Sequence, residues 1–150
     1  MPRILLSVAA VFLLCACEPE RPARPASKGP PANAEYVTDS PVSIIRQVAS
    51  SKSPAAADEF IGKWNSDQGW DGVVEAITED KSGTVLRMNV YEATLVGGSY
   101  WILAIVGDNP DIEKGKQCRV QGKIREVSSK VMGGANVVHR IVLEDARIVK

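Results

Sequence analysis

The side chains able to do covalent or proton-transfer chemistry are few and scattered. The chain has one histidine, His139, and three cysteines, Cys15, Cys17 and Cys118. His139 sits in a β-rich run, with no second histidine to relay a proton to or to share a metal with. A metal site ordinarily takes three or four ligands. Cys118 and His139 supply only two, even if their strands pair. Glu144 and Asp145 are adjacent carboxylates in a turn-like stretch. Nothing around them splits their pKa values, as an acid–base pair would need. Neither Gly-x-Ser-x-Gly nor His-Glu-x-x-His occurs. The glycine pairs at 97–98 and 133–134 suit hairpin turns, not phosphate loops. The expectation is no enzyme, no metal and no cofactor.

The remaining reactive residue is Cys17. Arg3 gives one positive charge, and an apolar run follows through Phe12-Leu13-Leu14 to the small residue Ala16. That order reads as a secretion signal, and the run is too short for a comfortable membrane span. Leu14-Cys15-Ala16-Cys17 resembles the lipobox of bacterial lipoproteins. The resemblance implies a signal peptide over 1–16 and a mature chain beginning at a lipidated Cys17. More than one palmitate-type acyl chain would hold it in the membrane. Cleavage before Cys15 would put Leu14 where a small residue belongs. Glu18 lacks the aspartate mark of inner-membrane retention. The expected location is therefore the cell envelope, at the outer membrane and facing the periplasm. Secreted chains usually pair their cysteines. With Cys15 in the signal and Cys17 in the anchor, Cys118 is left alone and reads as a small buried hydrophobe.

Residues 17–39 form the next unit, an anchor and tether. Prolines at 19, 22, 25, 30 and 31 and few apolar residues leave little surface to offset ordering entropy, so a disordered tether is expected. Residues 40–150 form the folded domain. Asp39-Ser40-Pro41 offers a helix cap with proline just inside, and Val42, Ile45 and Val48 recur at helical spacing. A second short helix, or one more turn and a half, over 55–61 ends at Gly62. From Trp70 onward the texture is that of strands, five in all, with turns at 79–83, 97–98, 107–110 and 133–134. Tyr100 to Val106 is apolar at nearly every residue, as a strand buried on both faces would be, which places Trp101 in the core. The fold class expected is mainly β: a small five-stranded OB-like barrel preceded by one or two short helices, its closure removing exposed edges.

Several motifs carry that reading. Phe60-Ile61-Gly62-Lys63, then Trp70-Asp71-Gly72-Val73-Val74-Glu75-Ala76-Ile77, then Gly115-Lys116-Gln117-Cys118-Arg119-Val120-Gln121-Gly122-Lys123-Ile124, and the ending Leu143-Glu144-Asp145-Ala146-Arg147-Ile148 together resemble the bacterial tRNA_anti-like group of OB-fold domains. The stretch from Lys63 to Gly69 departs from that pattern by a longer lead-in. The resemblance implies a fold that presents a binding face, not a chemistry.

Residues 60–150 hold twelve Lys plus Arg and twelve Asp plus Glu. A phosphate-binding groove normally shows as a basic excess, so nucleic acid is not an expected partner. The expected function is a non-catalytic binding or assembly module for an envelope protein or component. The alternative is a single-stranded nucleic-acid-binding OB-fold protein. Trp70, Arg87, Tyr91 and Arg119 are the candidate contact residues, because aromatic and arginine side chains give dense, directional contact area.

Overall fold

Ser40 caps the first helix as its sequence predicts. Its side chain accepts from Ser43 N at 3.2 Å, and Pro41 occupies the first helical position. In the computed structural model, which describes residues 27–51, 53–90, 98–107, 111–132 and 136–149, this helix, α1, spans Pro41–Ser50. Val42, Ile44 and Ile45 are buried on its inner face. The second expected helix shrinks to a single 3-10 turn, Pro54–Ala57. Further turns lead to Gly62, which takes the left-handed conformation at φ 87°.

Five strands follow: β1 (Trp70–Asp80), β2 (Gly83–Asn89), β3 (Gly98–Val106), β4 (Gln117–Met132) and β5 (Asn136–Val149). Their order in the sheet is β1-β2-β3-β5-β4. The β3–β5 pairing is parallel and the others are antiparallel. Side chains alternate between a buried inner face and an outer face. Leu86, Met88, Ile102, Ala104, Val120, Ile124, Ile141 and Leu143 fill the interior, and α1 covers it with Ile44 and Ile45.

The barrel expectation needs a correction. The strand order returns on itself, but β1 and β4 pair only over Trp70–Val73 and Gln117–Val120. Backbone bonds outside the strands prolong this seam. Asn65 N reaches Gly122 O at 3.0 Å and Ile124 N reaches Lys63 O at 2.8 Å on one side, and Gly115 N reaches Val74 O at 2.8 Å on the other. Beyond it, Ala76–Asp80 of β1 pairs only with β2, and Glu126–Met132 of β4 only with β5. The molecule is thus a mainly β fold of five strands with short helices, its ring of strands joined only at the short β1–β4 seam and not sealed along its length. The cause is divergence of two long strands from a four-residue contact. Exposed edges are therefore reduced but not removed.

Gly122 shows why a glycine stands inside β4. A Cβ there would lie 2.9 Å from the Cβ of Ala146 and 3.0 Å from that of Leu143. The coiled sheet brings β4 and β5 that close.

The signal segment and Cys17 lie outside the described residues. Residues 27–39, expected within the tether, lie against the sheet where they are described. Trp64 N donates to Glu35 O at 2.7 Å and Val37 N to Trp64 O at 2.9 Å, so Tyr36 bridges Trp64 in parallel.

Candidate functional site

A β-bulge sets the geometry of the outer face. The β1–β2 register shifts between Val74 and Ala76, leaving Glu75 as the extra residue. Such a bulge re-aims a side chain. Here Glu75 turns outward between Arg87 and Asn89. Asn89 Nδ2 donates to Glu75 Oε1 at 3.0 Å, and Arg87 Nε lies 3.5 Å from Glu75 Oε2. That second contact is an ion pair without hydrogen-bond geometry, and Arg87 Nε has no hydrogen-bond partner. The guanidinium of Arg87 instead sits over the ring of Trp101, 4.8 Å from its centroid, within cation–π range.

Register carries the row across the sheet. Asn89 pairs with Trp101, Trp101 with Arg140, and Arg140 with Ser128. Arg140 donates from Nη2 to Glu126 Oε1 at 2.6 Å and from Nε to Ser128 Oγ at 3.0 Å. The Arg140 hydrogen bond, more than any other influence, holds the Glu126 carboxyl below its ordinary pKa. The outer face of β2, β3 and β5 therefore carries one indole between two arginines, each arginine paired with a glutamate.

Trp101 was expected in the core. It is half-buried, because β3 alternates: Tyr100, Ile102 and Ala104 point inward, Trp101 and Leu103 outward. An apolar outer residue reads like a core residue in sequence, since both strand faces are then apolar.

The three expected contact residues that are described, Trp70, Arg87 and Arg119, do not gather on one face. Trp70 is 6% exposed and belongs to the core. Arg87 lies on the outer face, as described. Tyr91 falls outside the described residues. Arg119 pairs with Asp71 across the β1–β4 seam, from Nε to Oδ1 at 2.9 Å and Nη2 to Oδ2 at 2.7 Å. That fork pulls the Asp71 carboxyl below its ordinary pKa. Arg140, Glu126 and Asp71 had no signal in the sequence beyond alternation. Asn65 had none at all: it is fully buried, donating from Nδ2 to Val120 O at 3.0 Å and accepting from Gly122 N at 2.7 Å.

His139 and Cys118 have structural surroundings. The His139 ring stacks on Tyr100 with centroids 4.8 Å apart, and its Nδ1 is 2.7 Å from Ser129 Oγ. Burial lowers its pKa. Cys118 is buried with its Sγ 3.8 Å from Met88 Sδ, and burial raises its pKa. A raised pKa keeps the thiol protonated and unreactive. The two stand far apart along β4 and β5: Cys118 is the second residue of β4, whereas His139 pairs with Ser129. Among the described residues, no group of three or more His, Cys, Asp or Glu could hold a metal.

No protein-family model matches the chain, and none of the curated proteins matches it. Among solved structures, a lipoprotein from Klebsiella pneumoniae subsp. pneumoniae MGH 78578, whose name proposes nucleic-acid binding, is similar at a TM-score of 0.49 and 15% identity, covering 79% of this chain and 94% of that one. The expectation that nucleic acid is not a partner is given up, because the charge count behind it was too coarse: a formally neutral domain still places two arginines beside a half-buried outer ring.

Proposed function

We propose that this chain is a non-catalytic binding module, held at the cell envelope through Cys17, whose outer face around Trp101 takes single-stranded nucleic acid. One observation carries the reading. Trp101 is half-buried on an outer sheet face, with Arg87 at 4.8 Å and Arg140 in register beside it. Exposed rings and guanidinium planes are what unpaired bases stack on, and arginines reach the phosphates between them. The anchor rests on the Leu-Cys-Ala-Cys sequence, and the absence of an enzymatic role on the lack of a catalytic set.

The test uses the protein's own fluorescence. Trp64 and Trp70 are each 6% exposed, so Trp101 is the indole a ligand can reach. Titration with a short oligonucleotide should quench the emission. Trp101→Ala should weaken binding about tenfold, since stacking of one base is worth about 1–3 kcal/mol. Unquenched fluorescence, or equal affinity for both proteins, would sink the proposal.

A protein partner is the second reading, and the two ion pairs favour it. Arg87 is beside Glu75 and Arg140 is bonded to Glu126, so the face has little net charge to offer a polyanion. An aromatic ring flanked by arginines is also the composition of protein hot spots. Binding of an envelope protein lost in Trp101→Ala, with no oligonucleotide binding, would select this reading.

A further inference from the structure

The segment Ser27–Val37 forms a strap across one end of the sheet. Tyr36 bridges Trp64, and Trp64 in turn bridges Lys123 of β4. Gly29, at φ 81°, lies over the Arg147 side chain, where a Cβ would meet the guanidinium at 2.5–2.6 Å. Arg147 is itself fixed to Gln121 Oε1, at 2.7 Å from Nη2. The strap and the 58–63 turn enclose an open groove of about 860 Å³ floored by Trp64 and Lys123.

We propose that this strap face rests on the zwitterionic headgroups of the bilayer and turns the Trp101 face away from it. The proposal rests on the anchoring of Cys17 proposed above. From Cys17 to Ser27 the chain advances ten residues, which span at most about 36 Å fully extended. The strap is where the folded domain meets that short connection, so its face is the one brought to the lipid at high effective concentration. Its chemistry fits. Tyr36 is 38% exposed and Ile61 40% exposed, giving two apolar side chains for the interface. The groove mixes Lys28, Lys63 and Lys123, the last 3.9 Å from Glu144, with Glu35, Asp58, Glu59 and Asp145. Lysines of that kind meet phosphates, and the carboxylates meet ammonium groups, as a zwitterionic headgroup requires and a purely anionic surface does not. At the far end, Val131 is eight residues beyond Lys123 along β4. Ser128, three residues before it, is in register with Arg140, which pairs in turn with Trp101.

The test reconstitutes the full lipidated chain into phosphatidylethanolamine–phosphatidylcholine vesicles carrying a spin-labelled quencher in the headgroup region. A fluorophore is placed at Ile61→Cys in one sample and Val131→Cys in another, with unsubstituted protein as the labelling control. The expected result is at least threefold stronger quenching at position 61 than at 131. Equal quenching, or stronger quenching at 131, in protein that floats with the vesicles would overturn the orientation while leaving the anchor intact. Protein that fails to float, behaving as Cys17→Ser does, would overturn the anchor and the orientation with it.

Discussion

His139 shows how a residue that could do chemistry is used for structure. Its ring is buried against Tyr100 and held by Ser129, and burial favours the neutral imidazole. The consequence has a definite sign. A folded-state pKa below the unfolded value, about 6.5, means the unfolded chain binds the proton first as pH falls. The stabilisation from keeping His139 neutral is present above that value and is lost as pH drops through the lowered folded pKa. Urea midpoints should therefore fall between pH 7.5 and 5. His139→Phe, which keeps a ring to stack on Tyr100, should flatten part of that dependence. A variant with the same pH profile as the parent would show that other groups carry it.

Among the elements, α1 does more than decorate the sheet. β1 and β4 diverge after four pairs, and the interior they leave is closed by the helix, with Ile44 fully buried and Ile45 3% exposed. Ile44→Ala should cost about 2–5 kcal/mol, the range for emptying a large aliphatic site in a core. Urea unfolding measures it, and a loss under about 1 kcal/mol would mean the helix packs loosely. This element was legible in the sequence: Ser40-Pro41 is a cap chemistry, and the apolar spacing of Val42, Ile45 and Val48 has helical period. The five strands were legible for the same reason, since alternation and turn residues are local. What could not be read was whatever depends on pairing. The bulge that swings Glu75 outward, the register that sets Trp101 beside Arg140, and the partial seam all arise from strands far apart in sequence. Asn65 is the sharpest case. A polar residue in a polar loop carries no mark of the two β4 backbone groups it satisfies. Trp101 was misplaced because an apolar outer face and a core face have the same composition.

For the molecule as a whole, charge decides how any nucleic acid would be held. The chain balances eighteen Lys plus Arg against eighteen Asp plus Glu. On the proposed face each arginine already has a glutamate, Arg87 at 3.5 Å and Arg140 at 2.6 Å. Binding would exchange carboxylate contacts for phosphate contacts and release few counterions. Affinity must then come chiefly from stacking on Trp101, a term that salt hardly touches. Each phosphate neutralised on a single strand contributes a slope of roughly −0.7 to log K against log salt, so two arginines give at most about −1.4. Oligonucleotide titrations at several salt concentrations should return a slope no steeper than that, and Arg140→Gln should make it shallower by about half. A slope near −4 would require about six phosphate contacts. The face around Trp101 does not provide them, and the strand would have to lie on another surface.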